Sequence, residues 1–208
     1  MTDHRRAEGQ PPTATRFQLG LANEAATVDL GKRLATTIVP GLKIYLHGDL
    51  GAGKTTLSRA LLKALGHAGR VKSPTYTLVE VYDLSRLNLY HFDFYRFRDA
   101  QEWREAGFSE YFGGDAVCLV EWPEKVGDDL PPPDLDIFMA MVGDDDGIAT
   151  DSNEERRAEI VARSTEQRRV DIIAHGTEQR RAEIVARTAK GQRCVASLTS
   201  SYSHASSS

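Results

Sequence analysis

The chain has 208 residues, of which 40% are apolar, 27% charged and 8% aromatic; this admits one domain with a full core, or a smaller domain with long tails, and argues against two enzymatic domains in tandem. A net charge of −4 offers no overall positive field for nucleic acid or an anionic membrane. Two cysteines, Cys118 and Cys194, are too few for a disulfide framework, and with no 18-residue apolar run and no N-terminal apolar core of a signal peptide the expectation is a cytoplasmic protein without a membrane partner.

In chain order, residues 1–16 are polar, carry Pro11 and Pro12, and read as a disordered lead-in. Asn23 is placed to cap a helix with Glu24 in its first turn and Ala26, Leu30 and Leu34 on one face, ending before Pro40. Leu42 to His47 is a short apolar strand followed at once by Gly48, Gly51 and Gly53. Thr55 to Leu65 then has helical spacing through Leu57, Leu61 and Leu65, with Gly66 as a terminal cap. Further strands are expected over Thr77 to Tyr82, Leu87 to Asp93, Ala116 to Glu121 and Leu135 to Val142; between the second and third of these, Asp99 and Glu102 have capping-box spacing and Gly107 can close the helix. Strands interleaved with helices around a glycine loop indicate an α/β fold, and consecutive strands with no helix between them indicate a mixed sheet.

The last quarter differs in texture. Residues 153–164, 165–176 and 177–188 form a repeat of period twelve, each unit with an Arg pair followed by apolar alternation, which favours short strands over the rival charged helix. Residues 151–208 hold ten Lys/Arg and eight Asp/Glu, or +2, which leaves −6 for residues 1–150. The terminal SLTSSYSHASSS reads as disordered.

Gly48 to Thr55 fits G-x-x-x-x-G-K-[ST], the phosphate-binding loop. Glycines let successive N–H groups point at phosphate oxygens, and the following helix adds its positive end. Lys54 is then expected at the β- and γ-phosphates and Thr55 on Mg²⁺. By chance the pattern arises in roughly one chain of this length in a hundred, and the flanking strand and helix lower that figure. Such a loop needs carboxylates across from it, and Asp93 and Glu121 each end an apolar strand where ligands of open α/β sheets lie. Taken singly, either is more often a cap or a solvated charge. Ser73 to Thr77 precedes a strand as either a switch segment, with Thr75 toward the γ-phosphate, or an ordinary turn; Trp122 is either a rim aromatic or core filling.

With these blocks assembled, GDLGAGKTTLSRALLKALGH, VKSPTYTLVEVY, YHFDFYR and CLVEWPE, the chain resembles the TsaE (YjeE) family of small bacterial ATPases of tRNA threonylcarbamoyladenosine biosynthesis, from about Phe17 to about Met141. The resemblance implies a P-loop NTPase-like three-layer α/β fold with a mostly parallel, mixed sheet and flanking helices. It also implies a Mg²⁺-dependent ATPase, weak alone, that acts with the threonylcarbamoyl transferase TsaD and its partner TsaB. The expected outcome is modification of adenosine 37 in tRNAs reading codons that begin with A, with the tRNA held by the partners. Residue by residue, it assigns Leu50, Gly51, Ala52, Gly53, Lys54 and Thr55 to the phosphates, Thr55 and Glu121 to Mg²⁺, and Asp93 to metal-shell or water-orienting work. It further assigns Ser73 to Thr77 to a switch, Trp122 to the active-site rim and Glu24 to the nucleotide's neighbourhood. Lys54, Asp93 and Glu121 are thus the expected catalytic set.

The expected organisation is a lead-in over 1–16, the ATPase domain over 17–143, charged repeats over 144–190 that can complete the sheet, with RRVDIIAHG as the closing strand, and a disordered Ser-rich tail over 191–208. Two other functions remain open on the residues: a small-molecule kinase using the same loop, and a nucleotide-sensing module that does not hydrolyse.

Overall fold

The computed structural model describes residues 15–71, 74, 77–142 and 179–205. The described residues form β1 (Thr15–Leu21), α1 (Glu24–Ala35), β2 (Lys43–His47), α2 (Lys54–Ala64), β3 (Val79–Leu84), β4 (Leu87–Asp93), α3 (Ala100–Ala106), β5 (Val117–Glu121), β6 (Leu135–Met141), β7 (Arg180–Ala186) and α4 (Ala189–Ala205), with short 3₁₀ turns after α3 and after β5. All seven strands join one sheet in the order β1-β7-β6-β2-β5-β4-β3. The central four, β6, β2, β5 and β4, run parallel, whereas β3, β7 and β1 each pair antiparallel with a neighbour. The sheet is therefore the mixed, mostly parallel one expected, and the tight hairpin β3 to β4 falls where two strands follow without a helix between them.

Side chains alternate across the strands, so each face has its own covering. One face carries the long helices: Leu30 and Leu34 of α1, Leu57 and Leu61 of α2, and Val195 and Leu198 of α4 join Ile44, Leu46, Leu119, Ile137 and Ile184 in a buried aliphatic cluster. The other face holds Tyr45, Phe92, Phe94, Phe97, Trp103 and Phe112 with Cys118 and Val120, covered by α3 and the 3₁₀ turns. Local signals set the helix ends. Asn23 accepts from Ala26 N at 3.0 Å, Asp99 accepts from Gln101 N at 2.8 Å, and Gly107 closes α3 at φ 68°.

Four expectations need correcting. Thr15 and Arg16 belong to the lead-in by composition, yet they begin β1, which pairs with β7 through seven registered residues and buries Leu21; the rest of the lead-in lies outside the described residues. The second expected strand starts two residues later, at Val79, because Leu78 takes a left-handed φ of 64°, a conformation that ends extended pairing.

The closing strand is the third repeat unit rather than RRVDIIAHG, which with the first unit lies outside the described residues. The third unit places Arg187 and Thr188 beyond its alternation, and these bond Asp136 (2.7 Å) and Asp134. The second unit has His175 and Gly176 at those positions.

The tail expected to be disordered is a helix as far as Ala205. Cys194, Val195 and Leu198 are buried on one face, and Tyr202 lies under the Arg33 guanidinium at 4.4 Å. The hydroxyls of Thr199, Ser200 and Ser203 donate to carbonyls four residues back, at 2.9, 3.0 and 3.2 Å, so the residues that suggested disorder are satisfied within the helix. Its first turn docks closely: a side chain at Gly191 would bring its Cβ to 2.1 Å from the Asp134 carbonyl.

Candidate functional site

The site lies where β2, β4 and β5 end and α2 begins, at the carboxyl edge of the parallel strands. Gly48 leaves β2 at φ 131°, and a Cβ there would stand 2.0 Å from the Met139 carbonyl of β6. Only glycine fits, and the chain can therefore curl across the sheet edge before α2 starts. The loop's Leu50 is 67% exposed, so its side chain takes no part in the core.

Lys54, the first residue of α2, is buried. Its Nζ donates to the carbonyls of Gly48 and Asp49, at 2.5 and 2.9 Å, and lies 3.7 Å from the centre of the Trp122 ring. Burial holds its pKa below the usual lysine value, against the charges of Glu121, Glu124, Asp49 and Asp93, which pull it back up. Thr55 Oγ1 donates to Glu121 Oε2 at 2.9 Å. Glu121 is 1% exposed, and burial pushes its carboxyl up, yet hydrogen bonds from His91, Thr55 and Ser58 outweigh this and keep it below the usual range. The carboxylate is thus ionised inside the protein because donors surround it.

Asp93 is the registered partner of Glu121 across β4 and β5, so both point to the α2 face. It is buried, and its Oδ1 accepts from Tyr95 N at 3.0 Å. Trp122 follows Glu121 with a left-handed φ of 62°. Held by Trp122 N donating to the Leu46 carbonyl at 3.3 Å, this turn sets the ring against Tyr95, 5.0 Å away, and over Lys54. Trp122 is half-buried and has features of both readings: its ring packs against the aromatic cluster and also lies over Lys54.

Glu24 stands elsewhere. It is exposed and lines a groove of about 480 Å³ between α1 and α2, with Val28, Lys32, Thr56, Arg59 and Lys63. The groove opens beside Thr56, next in sequence to Thr55. Ser73 and Thr75 lie outside the described residues; of their segment, Pro74 is buried, and its carbonyl accepts from Leu78 N at 2.6 Å.

Three residues of the site escape reading by motif. Ser58, one turn beyond Thr55, places Oγ 2.9 Å from Glu121 Oε1, and helical spacing is the signal that locates it. His91 reaches the same oxygen at 2.8 Å, and strand alternation from Asp93 is its signal. Arg180 comes from the third repeat unit, 126 positions after Lys54, and its side chain packs beside Gly53, 3.4 Å from where a Cβ would be. No local pattern points to it.

A sequence model of the family described as "Threonylcarbamoyl adenosine biosynthesis protein TsaE" matches residues 21–147. The chain belongs to the TsaE family. Its relatives include the tRNA threonylcarbamoyladenosine biosynthesis proteins TsaE of Haemophilus influenzae, 44% identical over 120 residues covering 55% of this chain and 76% of that one, and of Bacillus subtilis, 41% identical over 124 residues covering 60% and 77%. The TsaE of Rickettsia felis is 34% identical over 148 residues, covering 69% of this chain and 86% of its own. Among solved structures, Bacillus subtilis YdiB matches with a TM-score of 0.64 and 26% identity, covering 90% of this chain and 96% of that one. TsaE proteins are thus the context for the P-loop described above, a nucleotide-binding element in threonylcarbamoyladenosine biosynthesis. Among the described residues, no helix is long and apolar enough to cross a membrane.

Proposed function

We propose that the chain is a Mg²⁺-dependent ATPase that sustains threonylcarbamoyladenosine modification of tRNA in the cytoplasm, working with a TsaD transferase and its TsaB partner. The observation that carries the reading is the Thr55 hydroxyl 2.9 Å from the buried Glu121 carboxylate, directly behind a phosphate-binding loop. Two hard oxygens at a P-loop suit Mg²⁺, which keeps several waters and phosphate oxygens in its shell and needs few protein ligands.

Thr55 and Glu121 would hold the ion, which when bound neutralises charge on the β- and γ-phosphates. The chain's own residues do the rest. Amides of Leu50 to Thr55 and the α2 N-terminus receive phosphate oxygens, and Lys54 exchanges its loop carbonyls for the β- and γ-phosphates. Asp93, on the same sheet face, orients water for in-line attack on the γ-phosphorus, with the bridging oxygen leaving on ADP. The groove lined by Glu24 takes the nucleoside end, and Trp122 covers the phosphates at the rim. Ser73 and Thr75 form the switch segment.

The test is phosphate release from ATP and Mg²⁺ with no acceptor present. Slow release is expected, lost in Lys54→Ala and Glu121→Gln and raised by added TsaD and TsaB. Strict dependence on a small-molecule acceptor would show a kinase instead, and binding without release in any mixture would show a nucleotide sensor.

A further inference from the structure

Glu121 is a metal-binding candidate with an unusual feature: its two oxygens are treated differently by the protein. Oε2 receives one hydrogen bond, from Thr55 at 2.9 Å. Oε1 lies 2.9 Å from Ser58 Oγ and 2.8 Å from His91 Nε2. A carboxylate oxygen offers about two acceptor positions, so Oε1 is saturated and Oε2 is not.

The two holders of Oε1 are unequal. Ser58 has a single proton, and its hydroxyl is also 3.0 Å from the Lys54 carbonyl, so it divides its donation. His91 has Glu121 alone: its Nδ1 has no hydrogen-bond partner among the described residues, and the ring is fully buried. Since the carboxylate only accepts, the shared proton sits on His91 Nε2.

We infer that His91 is a positioning residue for the cation site: its Nε2–H pins Oε1 of Glu121 at the back of the site and so leaves Oε2, the oxygen beside Thr55, to the divalent ion. The inference rests on the Mg²⁺-nucleotide reading above. His91 touches neither nucleotide nor metal in this scheme and acts through Glu121. The sheet makes the arrangement rigid. β4 and β5 are registered His91 to Leu119 and Asp93 to Glu121, so a fixed two-residue offset on one face sets the distance between ring and carboxylate. Partners that orient a metal ligand from behind commonly change metal affinity by about 10- to 100-fold when removed.

The experiment is a Mn²⁺ titration of the full chain with saturating ADP, read by the electron paramagnetic resonance signal of free Mn²⁺. It compares the natural protein, His91→Phe, which keeps a ring without the donor, and His91→Gln, whose amide nitrogen can reach the same place. Mn²⁺ affinity is expected to fall roughly 10- to 100-fold in His91→Phe and to return to within about threefold in His91→Gln, with metal-free ADP affinity within about twofold throughout. Unchanged Mn²⁺ binding in folded His91→Phe, or equal loss in both variants, overturns the inference and leaves His91 a packing residue. Nitrogen-15 spectra of the natural protein test it without substitution: a proton on Nε2 is expected, and a proton on Nδ1 alone overturns it. If the natural protein binds no ADP, or binds it with no Mn²⁺ taken up, the nucleotide-metal reading itself fails, an outcome distinct from any difference among variants.

Discussion

The two faces of the sheet are covered by different materials and do different work. On one, three helices of 12, 11 and 17 residues lay leucine-rich stripes over the strands, and the same face carries Thr55, Ser58, His91, Asp93 and Glu121 at its edge. On the other, α3 has seven residues, and large rings supply the area that helix length does not. Phe92 alone has ring contacts with Phe94, Trp103, Phe108, Tyr111 and Phe112, at 5.2 to 6.4 Å between centroids, and rings of this size bury about 150–250 Å² each. With α2 at the sheet edge, the helical face carries the candidate site, while the aromatic face meets it through Trp122 and is otherwise packed for stability.

That division can be broken by experiment. Phe92→Ala should show the largest effect, about 3–5 kcal/mol of stability by chemical denaturation, with nucleotide affinity of the folded protein unchanged. Loss of binding in a folded Phe92→Ala protein would show that the faces are not independent. Leu198→Ala on α4 should cost about 2–5 kcal/mol, at the lower end where the helix can settle, and also leave affinity alone, since it lies on the helical face away from the loop. Lys54→Ala should do the reverse. Calorimetric titration with ATP and Mg²⁺ should show roughly a ten- to hundredfold loss, the effect of removing a charged donor worth about 1.5–3 kcal/mol, with the fold intact. Asn23→Ala should cost only about 1 kcal/mol, read as a small fall in melting temperature.

The smallest effect is a pH dependence on the aromatic side of β2. His47 stacks on Phe138, its Nε2 is 2.7 Å from Asp136 Oδ1, and its Nδ1 is 3.6 Å from Glu124. Burial lowers its pKa, but Asp136 and then Glu124 outweigh burial and raise it above the ordinary 6.5. A raised folded value means the stabilisation is fully present below 6.5 and is lost as pH rises through the folded pKa. The melting-temperature advantage of the natural protein over His47→Gln should therefore shrink as pH rises from about 6 to about 9. A constant difference would show that the ion pair contributes nothing and that stacking alone matters.

Legibility in the sequence followed the distance between interacting residues. The P-loop was readable because Gly48 to Thr55 is one continuous phosphate-binding element, and β2, α2, β4 and β5 declared themselves through apolar runs and caps. Asp93 and Glu121 were readable as strand-end carboxylates. Helical spacing and strand alternation put Ser58 and His91 on the faces of Thr55 and Asp93, but nothing in one strand or helix says that both will meet Glu121. β1 was obscured because a half-exposed edge strand carries a weak apolar signal, and its partner arrives 165 positions later, at Ala186 to Arg180.

The sequence by itself thus determined the phosphate-binding element and the class of fold, since both rest on contacts between near neighbours. It could not choose the closing strand: residues 156–163 and 180–187 share the octet RRAEIVAR, and alternation rates them equally. The tertiary structure uses the copy whose next residues, Thr188 to Ala205, bond Asp134 and fold as α4 over the helical face. That choice also brings Arg180 to the loop. Packing decided it because a strand is held by what its neighbours on both sides can bury, which no local pattern contains.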